Sequence, residues 1–203
     1  MTEISNLSDL RAVYDPPNDL AVRKELDHID KHARDFIARS PFAILSTADA
    51  DGWPDSSPRG DAPGFAVVVN ERCLQLPDRP GNNRLDSFQN LVANPKIALL
   101  FLVPDRLETL RVNGTARLLT DAELLKAHAV RGKPARAVVE VTPRSVYFQC
   151  GKAIVRSGVW QKEKWPSLEG MATFAQALAD QIKGVERPAV DAALEKSYRD
   201  RLY

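Results

Sequence analysis

The sequence predicts a mainly β protein with flanking helices, its six to seven strands forming a small antiparallel barrel or sandwich. Three observations carry this reading. Short β-capable runs follow one another at close spacing and are joined mostly by turn residues. One run, Ile97 to Val103, is apolar throughout, as in a strand buried on both faces. Helical periodicity falls at the two ends and in short inserts, so strands do not alternate regularly with crossover helices and a doubly wound α/β sheet is disfavoured. With 203 residues, 44% hydrophobic and 27% charged, the chain is long enough for a substantial core.

The elements follow in chain order. Residues 1–19 are polar and read as an arm. From Asp19 to Arg39, Leu20, Val22, Leu26, Ile29, Ala33, Phe36 and Ile37 recur at mostly helical spacing, which predicts one amphipathic helix. It stops before Ser40-Pro41, because the residue before a proline disfavours the helical region. Phe42 to Thr47 and Pro54 to Arg59 read as strands of a hairpin turned at Asp49-Ala50-Asp51-Gly52. A second hairpin joins Phe65 to Val69 and Cys73 to Leu76.

Arg84 to Ala93 reads as a short helix closed by Asn94-Pro95, followed by the apolar strand and by Thr109 to Leu118. Thr120 to Val130 is a predicted helix, with Thr120 as its cap and Glu123 completing a capping box. Ala137 to Thr142 and Ser145 to Cys150 are predicted as two strands around Pro143. Two further helices, Ser167 to Lys183 and Val190 to Leu202, are separated by a break at Gly184 and Pro188. The organisation is an arm and helix over residues 1–40, a barrel domain over 41–160, and a helical extension packed on the barrel over 161–203.

Composition excludes several functions. The 28 basic and 27 acidic residues leave a net charge of +1, which argues against a general nucleic-acid binder or a membrane-surface protein. No apolar stretch approaches a membrane span, and the N-terminus lacks the basic and apolar parts of a signal peptide. Cys73 and Cys150 therefore read as reduced thiols in a cytoplasmic protein. No zinc-type spacing, Walker motif or G-x-G-x-x-G occurs. His28, His32 and His128 fall in predicted helices and read as surface residues. The cations are 18 Arg against 10 Lys, and Arg suits planar, two-point recognition of phosphate or carboxylate.

Three segments could carry chemistry. Leu76-Pro77-Asp78-Arg79-Pro80-Gly81-Asn82-Asn83-Arg84 follows a strand and opens a helix. Gly81 permits an unusual turn, and the amides of Asn82, Asn83 and Arg84 with two guanidiniums make an anion site. Ser56-Ser57-Pro58-Arg59 offers two hydroxyls and a guanidinium on a strand that Pro58 marks as an edge. Between Cys150 and Trp160, Lys152, Arg156 and Trp160 recur every four residues, so that a helical turn would align them. Solvated arginines in surface loops and a packing role for Trp160 are the bland alternatives. Taken jointly, the segments suggest a locally cationic pocket for a phosphate-bearing ligand with a flat aromatic part.

These segments, together with Phe42-Ala43-Ile44-Leu45-Ser46-Thr47, Asp51-Gly52-Trp53-Pro54, Asn94-Pro95 and Leu110-Arg111-Val112-Asn113-Gly114, resemble the pyridoxamine 5'-phosphate oxidase-like FMN-binding split-barrel superfamily. The similarity covers about residues 40–160 and looks closest to a branch of FMN-dependent proteins without an assigned substrate. It implies an antiparallel split barrel and a homodimer with two FMN sites at its interface. It places Asp55, Ser56, Ser57, Pro58 and Arg59 along the flavin and its ribityl chain, and Pro77, Asp78, Arg79, Asn82, Asn83 and Arg84 at the ring edge and phosphate. Thr109 stands where the family has a glutamine. The family's late Trp and Arg contacts fall on Trp160 and Arg156, in reversed order, with Lys152 nearby.

The implied activity is that of an oxidoreductase passing hydride or electrons between a small molecule and the flavin. The cofactor carries the redox chemistry, so no acid–base pair is required. The basic set with which pyridoxamine phosphate oxidase holds its phosphorylated substrate has no evident match near Tyr198-Arg199-Asp200-Arg201, so vitamin B6 oxidation is not predicted. A deazaflavin-dependent reductase of the same fold, a non-catalytic flavin or haem carrier, and a bare dimerisation module are the alternatives.

Overall fold

The computed structural model describes residues 3–203 of the chain. Seven strands form one sheet: β1 (Phe42–Ala48), β2 (Pro54–Gly60), β3 (Val67–Asn70), β4 (Cys73–Pro77), β5 (Lys96–Leu102), β6 (Thr109–Leu119) and β7 (Val138–Gln149). Their spatial order is β2-β1-β5-β6-β7-β4-β3, and every neighbouring pair is antiparallel. Alternation places Ala43 and Leu45, Leu74 and Leu76, Leu99 and Phe101, and Leu110 and Val112 on one buried face. Curling of the sheet turns that face into the core of a split barrel.

Among the described residues there are eight α-helices: α1 (Leu7–Val13), α2 (Asp19–Arg23), α3 (Lys31–Arg39), α4 (Asp86–Ala93), α5 (Ala122–Ala127), α6 (Lys152–Ser157), α7 (Phe174–Gln181) and α8 (Arg187–Asp200), of which α3 and α4 pack on the sheet. Ala33, Phe36 and Ile37 bury one side of α3 in the core, where Phe36 meets Phe148 edge-on at 5.4 Å. At the end of α3 the buried Ser40 hydroxyl shares its one proton between the carbonyls of Phe42 and Leu102 and ties helix to sheet. In α4, Asn90 donates to Thr47 at 3.0 Å and Asn94 to the Ala48 carbonyl at 3.2 Å, which holds the helix against β1. α7 packs on α8.

The predicted helix from Asp19 to Arg39 is two helices. β4 covers β7 only as far as Val141, which leaves later β7 backbone groups open on that side. Leu26 takes those at Val146 through reciprocal bonds of 2.9 and 2.8 Å, and the chain restarts as α3 with Asp30 as cap. The arm contains α1, capped by Asn6.

The two strands expected around Pro143 are one, β7, because Pro143 stands opposite Gly114 at an irregularity in the β6–β7 register. A Cβ on Gly114 would lie 2.1 Å from the Thr142 carbonyl oxygen. Asp121 rather than Thr120 caps α5, accepting from the amides of Glu123 and Leu124. α7 begins only at Phe174, where Thr173 caps it. Pro188 lies inside the first turn of α8 instead of breaking the chain, since a first-turn residue needs no intrahelical N–H bond.

Candidate functional site

The barrel does not close between β2, one edge of the sheet, and β4, which lies beside the other edge. A cleft of about 660 Å³ opens there, lined by residues 55–61 along and just beyond β2 and by residues 76–88, which run from the end of β4 into α4. Pro54 and Pro58 are tolerated in β2 because an edge strand has an unpaired side. Pro58, Phe65, Leu76, Pro77 and Phe88 supply apolar wall. Ser56, Ser57, Asn82 and Asn83 supply polar groups.

Two reciprocal ion pairs brace the split. Arg59 on β2 meets Asp78 beyond β4 at 3.2 Å, and Arg79 beyond β4 meets Asp61 beyond β2 at 3.2 Å. The Arg59 guanidinium lies over the Phe88 ring, 5.4 Å from its centroid, and its Nε is buried without a hydrogen-bond partner. Burial pushes the Asp78 carboxyl above its ordinary pKa, against the pull of Arg59 and Arg136. Burial acts the same way on Asp61 but is outweighed by hydrogen bonds from Tyr203, the Ala62 amide and Arg79, so its pKa is lowered. Ser87 donates to Asp55 at 2.8 Å and fixes the start of α4 against β2.

The cationic pocket expected from the loop arginines is therefore corrected. The cleft is lined by Arg59, Arg79, Arg84 and Arg136 and equally by Asp55, Asp61, Asp78 and Asp86. Arg79 also donates to the His128 carbonyl at 2.9 Å, so it acts as a strut. Arg84 stands exposed at the mouth, 2.8 Å from Asp86. Arg136 donates only to the neutral Asn83 amide oxygen, at 3.0 Å, among the side chains of the described residues. The unusual turn lies not at Gly81 but at Asn83 and Leu85, with φ of 58° and 60°. Leu85 precedes α4, whose first amides point out of the helix without an intrahelical acceptor.

The cleft brings together Asp55, Ser56, Ser57, Pro58, Arg59, Pro77, Asp78, Arg79, Asn82, Asn83 and Arg84, as the sequence suggested. It also holds Phe65, Ser87, Phe88 and Arg136, which sequence reasoning missed. Arg136 was signalled only by the basic run Lys133-Pro134-Ala135-Arg136 before β7. Four expected residues lie elsewhere in the chain. Thr109 starts β6 opposite Gln149. Lys152 and Arg156 line a separate cavity of about 310 Å³ with Leu107, Glu108, Gly151 and Val155. Trp160 does not share their helix face, because α6 ends at Ser157 and Gly158 turns left-handed at φ 61°. Its indole donates instead to the Arg106 carbonyl at 2.8 Å.

His28 is not helical and pairs with Asp27 at 2.9 Å. His128 ends α5 half-buried, its Nε2 3.0 Å from Gln75 Oε1. Among the described residues no helix is long and apolar enough to cross a membrane.

The sequence profile described as Pyridoxamine 5'-phosphate oxidase matches residues 29–150, more than half of the chain. The chain belongs to the pyridoxamine 5'-phosphate oxidase family. A family relative from Bradyrhizobium sp. (strain ORS 278), a pyridoxine/pyridoxamine 5'-phosphate oxidase, is 32% identical over 139 residues. That match covers 66% of this chain and 50% of the relative, so the chain spans about half of the relative's length. Among solved structures, HupZ of Group A Streptococcus is similar with a TM-score of 0.51 and 22% identity, over 60% of this chain and 94% of that one. A protein from Clostridium acetobutylicum related to general stress protein 26 is similar with a TM-score of 0.46 and 15% identity, over 59% and 86% of the two chains. Family membership and the seven-stranded antiparallel sheet agree: this is the family's split-barrel fold.

Proposed function

We propose that the chain binds FMN in the cleft between β2 and β4 and acts as an oxidoreductase on a small molecule. The observation that carries this reading is the meeting of two segments distant in sequence, Asp55 to Arg59 and Pro77 to Arg84, across one cleft of about 660 Å³. The lining suits the cofactor. Pro58, Leu76, Pro77 and Phe88 offer apolar surface for a flat ring, and Ser56, Ser57 and Asp55 offer partners for ribityl hydroxyls. Arg84, Arg136, Asn82 and the outward amides of α4 would hold the phosphate, which favours guanidinium and helix N-terminal donors. When bound, FMN supplies the redox chemistry, and the chain's part is to orient the ring and exclude water.

The reading extends to a homodimer. The Lys152 and Arg156 cavity is separate from the main cleft within one chain. A second copy would bring Thr109, Lys152, Arg156 and Trp160 to the neighbouring cleft.

Purified protein should be yellow, and titration should quench flavin fluorescence with saturation. Arg84→Ala and Arg136→Ala should each weaken FMN binding several-fold, because each removes a donor able to pair with the phosphate. Colourless protein that leaves added FMN fluorescence unchanged would overturn the reading, and uptake of a deazaflavin in its place would reassign the cofactor.

A further inference from the structure

A closed ring of contacts joins the segment after α8 to the cleft wall. The Tyr203 hydroxyl donates to Asp61 Oδ1 at 2.6 Å. Asp61 Oδ2 pairs with Arg79, and Arg79 donates to the His128 carbonyl. From His128 the chain runs into a tight turn closed by two bonds of 3.0 Å between Val130 and Lys133. That turn returns to the start: the Arg131 guanidinium lies over the Tyr203 ring at 4.9 Å, and Lys133 Nζ donates to the Tyr203 backbone oxygen at 2.7 Å. Arg131 has φ 52° and Gly132 has φ 76°. The left-handed backbone is unfavourable for an arginine, and at this turn it presents the guanidinium to the Tyr203 ring.

We propose that Tyr203 is a latch that fastens the α7–α8 pair to the cleft and positions Asp61 and Arg79 in its wall. Asp61 is the keystone, because its two oxygens receive the latch and the strut separately. An open latch leaves Asp61 Oδ1 with the Ala62 amide alone and frees the 128–133 turn from the tail. Asp61 and Arg79 both line the main cleft, so occupancy of the cleft and closure of the latch are coupled. Coupling of this kind is reciprocal: a ligand that favours the closed latch is held more tightly by it. This coupling rests on the FMN reading above; the fastening of the tail does not.

The test is hydrogen exchange of residues 196–203 in the full chain, with and without saturating FMN, beside FMN titration. Tyr203→Phe keeps the ring and removes the bond to Asp61; it should speed tail exchange roughly tenfold, as loss of a hydrogen bond to a charged group does. Arg131→Gly removes the stack while easing the left-handed turn, so it should loosen the tail without lowering the melting temperature. FMN should slow tail exchange in the wild-type chain more than in Tyr203→Phe, and Tyr203→Phe should bind FMN more weakly. Wild-type tail exchange in both variants would overturn the latch. A loosened tail with unchanged FMN affinity would overturn the positioning of the wall. Should the wild-type chain itself not bind FMN, the flavin reading falls, and the comparison of tail exchange still decides the latch.

Discussion

Replacing Arg59 by Met tests the bracing of the split. The substitution removes the guanidinium facing Asp78 and leaves a carboxylate whose side chain is 12% exposed without its close partner. Breaking a buried pair from one side costs about 3–5 kcal/mol. Arg59 is 26% exposed, so solvent screens part of the interaction and about 2 kcal/mol is expected. For a chain of this size that lowers the melting temperature by roughly 4–8 °C. The loss lies with Asp78, since Arg59 Nε is already buried without a partner.

The pH dependence has a definite sign. The folded-state pKa of Asp78 is raised above the ordinary carboxyl value of 3.8, so its ionisation opposes folding. Removing Arg59 raises it further. The deficit of the variant is therefore greatest above the raised folded pKa and shrinks as pH falls through it toward 3.8. Thermal melts followed by circular dichroism across this range measure the effect. Arg59→Met with Asp78→Asn should recover most of the loss. A single variant melting with the wild-type protein at neutral pH, or a double variant no better than the single, would refute the bracing role.

Two further predictions concern stability. Gly114→Ala should cost roughly 3 kcal/mol or more in urea unfolding, because its Cβ would strike the Thr142 carbonyl oxygen at 2.1 Å and backbone cannot step aside cheaply; an unchanged midpoint would show that the strands part freely. Asp27 accepts hydrogen bonds from His28 and Arg72 that hold its pKa at about 2, against an ordinary value of 3.8. Its contribution is present above the unfolded value and lost as pH falls toward about 2, so Asp27→Asn should flatten that part of the acid transition followed by tryptophan fluorescence. An acid transition identical in shape would remove Asp27 from the account.

Local signals placed most of the sheet. The β-capable run from Phe42 to Thr47 and the apolar run from Ile97 placed β1 and β5 to within a residue or two. The same signals misplaced elements where a distant backbone intervened. Helical spacing ran through Leu26, yet the open bonds of β7 drew it into a bridge. Pro143 looked like a strand end, yet Gly114 opposite absorbed the irregularity.

The arginine count first suggested a cationic pocket, and here the boundary between sequence and structure is sharpest. By itself the chain determined an antiparallel sheet with flanking helices, the edge character of β2 from its prolines, and eleven of the residues that line the cleft. The sheet and its edge follow from periodicity and turn chemistry, and the lining residues from short motifs and the family resemblance they carry, all read over a few residues at a time. Charge in the cleft was decided only in three dimensions. Arg59 meets Asp78 and Arg79 meets Asp61 across a gap between strands that are not hydrogen-bonded to each other. Tyr203 reaches Asp61 over 142 positions of chain. Coulombic attraction depends on distance in space, and closure of the sheet, not spacing along the chain, sets that distance.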